Sequence, residues 1–268
     1  MKVTLKAIVI SLIASLFLSG CAMVPITGRK QLVLISSVEL NILSKANYRK
    51  VLEESKLSKD SKKVQMVKRI GDRISRSTEQ FLTENGMSGM IGSFAWEFNL
   101  IEDKTSNAFA MPGGKVVVYS GILKHTQNED GLAVVIAHEI AHVIANHGGE
   151  RMSQMMLAQF GHTMITQALE EKKQTTQQFL MLAYGVSMNL GVVLPYSRLH
   201  ETEADRIGLI LMSQAGYNPR EAISFWRRMD AARNGSQMPE FLSTHPAPEA
   251  RIEDIRSLLP EALKYYKK

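Results

Sequence analysis

Residues 134–142 read VVIAHEIAH, an apolar run carrying two histidines and a glutamate within five positions. On a helix, residues four apart lie on one face. His138 and His142 can therefore hold one metal ion while Glu139 stands beside them to activate a water, which is the physical content of H-E-x-x-H. The competing reading is a buried helix with two chance histidines. Burying two imidazoles and a carboxylate without partners is costly, and a metal accounts for all three at once.

A catalytic zinc ion takes three protein ligands and keeps one position open. It lowers the pKa of a bound water toward about 7, and a glutamate takes the proton. The third ligand has to come from elsewhere. The metzincin continuation needs Gly at position 145 and His at 148, where this chain has Ala145 and Gly148. His147 follows His138 by nine residues, near the opposite side of the same predicted helix, and reads as a surface or capping histidine. The best candidate lies in HETEADRIG (200–208), where Glu201 and Asp205 are four apart and Gly208 falls on nearly the same side. Glu201 as ligand, Asp205 holding a ligand histidine and Gly208 admitting close helix approach make a consistent set. His200 and Glu203 compete as ligands but point elsewhere on the wheel. Glu201, Glu203, Asp205 and Arg206 alone would make an ordinary solvated face.

The surrounding pattern is mostly helical. Helices are predicted over 36–55, about 60–82, 128–147, 196–216 and 218–233, with a last one following the loop STHPAP (243–248). The 128–147 helix has Asn128 as its cap and Glu129 and Asp130 in its first turn, where acids suit the dipole. The stretch from 150 to about 193 is Met-rich and helical, interrupted near 170–178, and its apolar part 179–194 is read as a core helix rather than a membrane-contacting hairpin. FAWEFNLI (94–101) alternates as a strand does, and NAFAM (107–111) and KVVVYS (115–120) form a hairpin around PGG (112–114). An edge strand offers unpaired amides and carbonyls to an extended peptide. Asn107 and Ala108 are the first candidates to pair with one, against the alternative that Asn107 caps the hairpin.

His245, in STHP, has three readings. It can donate to a developing oxyanion, it can sit on the open position of the metal and hold the protein latent, or it can be a structural loop histidine. Arg198 and Arg251 can assist an oxyanion or salt-bridge the carboxylates, and neither is distinguishable from a surface arginine. His125 and His162 have no motif context and are assigned structural roles.

The N-terminus is a different kind of sequence. MKVTLK carries Lys2 and Lys6 and no acid, AIVISLIASLFL (7–18) is apolar with serines, and LSGC (18–21) follows. A basic start, a short apolar core and a small-residue cleavage site make a signal peptide over 1–20. The run is shorter than the roughly 20 residues of a membrane span. LSGC looks like a bacterial lipobox, with lipidation at Cys21, the one cysteine of the chain. By likeness to bacterial lipoproteins, Ala22 after it favours the outer membrane. Residues 21–36 then read as an extended, lipidated leader and 37–268 as the catalytic domain. The chain carries +6, and losing residues 1–20 removes two lysines and no acid. That mild charge, without a basic stripe interleaved with aromatics, argues for no nucleic-acid partner.

HEIAH followed by ETEAD, with SNAFAMPGG before and STHPAPEAR after, resembles the HtpX-like, BepA/LoiP-like family of gluzincin metallopeptidases, which also contains the CAAX prenyl endopeptidases. VPITGRKQLVLIS resembles the leader of its lipoprotein and mitochondrial quality-control branch. The likeness spans roughly residues 24–256. It implies an α+β, predominantly α-helical zincin-type domain with a small antiparallel sheet, and one Zn2+ per chain. His138, His142 and Glu201 are its implied ligands, Glu139 the base, and Asp205 the carboxylate behind a ligand. It further implies an endopeptidase acting on misfolded or unassembled envelope proteins, lipid-anchored and facing the periplasm, with the outer-membrane assembly machinery as a possible partner. The alternative is a zinc-stabilised lipoprotein without catalysis, acting as a chaperone or assembly factor. The chain departs from the prenyl-protease and HtpX branches in lacking convincing membrane helices. It departs from the BepA type in ending soon after the peptidase domain.

Overall fold

The computed structural model describes residues 21–170, 172, 174–188, 194–233, 238–245 and 250–267. The proposed signal peptide lies outside them. The leader, expected to run extended, instead folds back on itself. Strand β1 (Cys21–Met23) pairs antiparallel with β2 (Lys30–Leu32). The turn between them closes through Val24 N–H to the Arg29 carbonyl and Gly28 N–H to the Val24 carbonyl. Val24 and Gln31 are buried, so the leader is packed on the domain rather than draped from it.

Helix α1 (Ser37–Glu54) starts at a capping box. The Ser36 hydroxyl accepts from the Glu39 N–H, and the Glu39 carboxylate accepts from the Ser36 N–H. Helix α2 (Ser61–Glu84) turns Val67, Ile70, Ile74 and Leu82 into the core. Three strands follow, β3 (Glu97–Ile101), β4 (Ala108–Met111) and β5 (Lys115–Tyr119), in the spatial order β3-β5-β4. The expected β4–β5 hairpin is antiparallel, and β3 adds to it in parallel. Gly113 and Gly114 both take positive φ at the hairpin turn, which is why PGG marks it. Val116, Val117 and Val118 are all buried because both faces of β5 are covered. The order β3-β5-β4 leaves β4 as an edge strand.

After a single turn, α3 (Leu123–Thr126), comes α4 (Glu129–Ile144), the axis of the fold. Its predicted cap holds, with Asn128 Oδ1 accepting from Gly131 N–H at 2.7 Å. Every residue from Gly131 to His142 is buried. The helix does not reach residue 147 as expected. Asn146 adopts left-handed φ of 54°, and His147 opens a new helix, α5 (His147–Ala168). Helix α6 (Gln174–Met188) folds back along it. Of the stretch expected to be a core helix, residues 189–193 lie outside the described ones. Leu180 and Leu182 are well exposed, as are Met155, Phe160 and Met164 on α5, so this hairpin stands away from the core. Among the described residues, no helix is long and apolar enough to cross a membrane.

Helix α7 (Leu194–Gln214) lies closely on α4. A Cβ on Gly208 would stand 3.1 Å from the Ala137 carbonyl carbon and oxygen and from the His138 nitrogen. Only a residue without a side chain lets the two backbones approach this far. Helices α8 (Glu221–Arg233), α9 (Glu240–Thr244) and α10 (Arg251–Ala262) complete the core, α8 packing on α4 and α10 on α7 and α8.

Candidate metal centre

The close seat of α7 on α4 brings the two motifs together. His138 Nε2 and His142 Nε2 stand 3.0 Å apart. The Glu201 carboxylate faces both, with Oε2 at 3.2 Å from His138 Nε2 and Oε1 at 3.4 Å from His142 Nε2. His245 completes the group, since one ligand atom from each of the four residues lies within 4.8 Å of the others. All four side chains are buried.

The residues fit a zinc ion. Two imidazole nitrogens and one carboxylate are a donor set of the catalytic kind. Metal ligands have to be neutral imidazole and ionised carboxylate, and His142, His245 and Glu201 are shifted in that direction. Burial lowers His142 to about 4 and His245 well below its usual range. Burial alone would raise Glu201, but its bonds to His138 and His142 outweigh that and keep it ionised. Burial would likewise lower His138, yet hydrogen bonds to Asp205 and Glu201 raise it to about 9. Glu201 Oε2 accepts no well-aligned hydrogen bond despite its burial.

The Asp205 Oδ1 stands 3.0 Å from His138 Nδ1. A carboxylate there favours a proton on Nδ1 and so the tautomer that leaves Nε2 free for a metal. Arg251 is no surface arginine. Its Nε and Nη2 each donate to Asp205 at 2.8 Å, its Nη1 lies 3.3 Å from Glu201, and its guanidinium lies 3.6 Å from the Trp226 ring centre. The sequence left it unassigned because its carboxylate partners, Asp205 and Glu201, are over 40 residues away. Arg198 is exposed in the first turns of α7.

Glu139 is buried beside the cluster, and burial raises its carboxyl to about 8. The backbone N–H of Ala110 on β4 bonds it. The Asn107 carbonyl accepts from Tyr119 N–H, so residues 107, 109 and 111 bond β5. By the alternation of an antiparallel pair, Ala108 and Ala110 turn their polar groups to the open edge. Asn107 therefore serves the sheet and its neighbours. Its Oδ1 accepts from Ala108 N–H at 2.9 Å and its amide donates to Glu240. The Ala108 and Ala110 carbonyls thus face the open edge beside Glu139.

His245 is buried, stacked on Phe241 at 4.3 Å between ring centres. Its Nδ1 lies 3.0 Å from Thr244 Oγ1 and its Nε2 3.2 Å from Glu139 Oε1. The residues after it in STHPAP, 246–248, lie outside the described ones.

His147 is the residue misread from the sequence. It is buried, and its Nδ1 lies 2.8 Å from His142 Nδ1. The wheel projection failed because α4 ends before it, and the left-handed turn at Asn146 swings it back. A helix-length argument from Asn146 and Gly148-Gly149 was the available signal.

A family model, Peptidase family M48, matches residues 68–259. The chain is 42% identical over 192 residues to the mitochondrial metalloendopeptidase OMA1 of Schizosaccharomyces pombe, which covers 70% of this chain and 53% of that protein. It is 30% identical over 247 residues to the human metalloendopeptidase OMA1, covering 90% and 46%. It is 31% identical over 170 residues to the beta-barrel assembly-enhancing protease of Escherichia coli, covering 60% and 34%. The chain spans about half the length, or less, of these curated relatives.

Proposed function

The chain belongs to peptidase family M48, and from that premise we propose that it is a zinc-dependent endopeptidase of the bacterial envelope. The observation carrying this reading is the convergence of His138 and His142 of α4 with Glu201 of α7, at separations of 3.0 to 3.4 Å, beside Glu139, which α4 holds against the edge strand. Zinc held by those three residues supplies a Lewis acid that polarises the scissile carbonyl and acidifies water. Glu139 takes a proton from the attacking water and delivers it to the leaving nitrogen. Burial shifts the Glu139 carboxyl upward, the direction that brings a general acid–base group nearer to neutral pH. Asp205 holds the His138 ring, and Arg251 holds Asp205. The open edge of β4, through Ala108 and Ala110, aligns the substrate as an added strand.

His245, with its Nε2 against Glu139, fills the room a substrate carbonyl would need. We assign it the role of a latch that has to swing out for turnover. Cys21 carries the lipid anchor, residues 21–36 form the leader and 37–268 the catalytic domain. Misfolded or unassembled envelope proteins are the substrate class that fits recognition through backbone, which reads extended chain rather than side chains. The relative named for β-barrel assembly supports a link to the outer-membrane assembly machinery.

The test is zinc content and casein cleavage of the purified chain and its Glu139→Gln variant. Both should hold one zinc, and only the parent should cut. Zinc without cleavage in either would favour a non-catalytic chaperone or assembly factor. No zinc after remetallation would overturn the ligand set.

A further inference from the structure

Behind His142 lies a second buried polar cluster. His147 and Glu150 enter it from α5, His200 and Glu203 from α7, and Arg29 from the leader. His147 Nε2 lies 3.0 Å from Glu203 Oε2, and His200 Nε2 lies 2.9 Å from Glu150 Oε2. The two imidazoles stack at 4.2 Å. Arg29 bridges the carboxylates. Its Nη1 and Nη2 donate to Glu150 at 2.9 and 2.7 Å, and its Nε donates to Glu203 at 2.9 Å. The Thr27 hydroxyl also donates to Glu203. This is not a second metal site, because the guanidinium already fills the space between the carboxylates and supplies the positive charge.

The hydrogen bonds have one consistent direction. Glu203, ionised and already accepting from Arg29, can only accept from His147 Nε2–H. His147 Nδ1 then carries the lone pair and accepts from His142 Nδ1–H. His142 is left with its Nε2 lone pair directed at His138 and Glu201, the tautomer a metal needs. Each histidine of the H-E-x-x-H pair thus has a partner on its far nitrogen, Asp205 for His138 and His147 for His142. The second chain of contacts runs on to the leader, which is further docked by Leu34 N–H donating to Ser153 Oγ at 2.8 Å.

We propose that Arg29, Glu203 and His147 are positioning residues for His142, so that docking of the leader is a condition of tight zinc binding. The proposal rests on the zinc-peptidase reading. Without the arginine, Glu150 and Glu203 face each other as like charges, and Glu203 no longer holds the His147 ring. His142 then loses the acceptor that sets its tautomer.

The experiment uses the full chain and measures zinc affinity by chelator competition. The visible spectrum of the Co2+-substituted protein reports the ligand field. The variants are Arg29→Met, Arg29→Lys, Glu203→Gln and His147→Phe, with Arg206→Ala as a control that breaks a different ion pair of α7, to Glu261. Arg29→Met, Glu203→Gln and His147→Phe should bind zinc about 10–100-fold more weakly, the range for partners of ligand histidines. The Co2+ spectrum should shift, Arg29→Lys should recover part of the affinity, and Arg206→Ala should match the parent. With zinc saturating, kcat should fall more than KM rises. Glu203→Gln preserves size and keeps the test open if a bulkier change unfolds the protein. Folded Arg29→Met and Glu203→Gln proteins with affinity within twofold of the parent would overturn the inference alone. A parent chain that binds no zinc would overturn the peptidase reading and this inference with it.

Discussion

Arg251 grips Asp205 through two parallel hydrogen bonds of 2.8 Å, joining the start of the last helix to the back of the metal-ligating one. Both are buried, so the pair is worth most when complete. Asp205→Ala should weaken zinc binding about 10–100-fold. It should also destabilise the fold, toward the lower end of about 3–5 kcal/mol for breaking a buried pair, because Glu201 still faces Arg251 at 3.3 Å. Chelator competition and urea unfolding of the same variant read the two effects.

Glu139→Gln keeps the shape of the pocket and removes the proton carrier. Peptide hydrolysis should fall by roughly 10²–10⁴, the span for general acid–base groups, with zinc content unchanged. A variant that loses its zinc as well would make Glu139 a structural member of the site.

His245→Ala empties the space against Glu139. As a latch, its removal should raise casein cleavage at unchanged zinc content. A fall of about 10²–10³ in kcat would instead assign it to the oxyanion.

Gly208→Ala places a methyl 3.1 Å from the Ala137 carbonyl, a backbone atom with little room to retreat. Overpacking of this kind costs about 1–3 kcal/mol. The melting temperature should drop, and kcat should drop with it, since α7 carries Glu201. An unchanged melting temperature would show that the helices separate freely.

Glu150 gives the fold an acid limb. Burial would raise its carboxyl, but the bonds from His200 and Arg29 outweigh it and hold it at about 2, below the ordinary 4.5. A carboxylate depressed in the folded state contributes stability above its unfolded value and loses it as pH falls to the folded one. Urea midpoints should therefore decline as pH drops from 4.5 toward 2. Glu150→Gln should flatten that decline, and parallel curves would assign the limb to other carboxylates.

What the sequence made legible had short range and regular geometry. His138 and His142 could be read because i,i+4 spacing on an unbroken helix fixes a face. Glu201, Asp205 and Gly208 followed from the same rule on a second helix. The hairpin was legible because PGG can do little else. The errors sit where regular geometry stops. His147 was projected along a helix that ends before it. Arg251 and Arg29 act through partners 46 to 174 residues away, and no local period encodes such a pairing. The 179–194 stretch is apolar enough for a core, yet its described side chains include Leu180 and Leu182 in the open. Apolar composition gives a tendency to be buried, not a place to be buried in.

The antiparallel pairing of Cys21 with Leu32 has a mechanical consequence. A strand residue locked by its neighbours is a rigid mount, not the end of a free tether. Any acyl group carried at Cys21 would therefore set the attitude of the whole body toward the surface it inserts into.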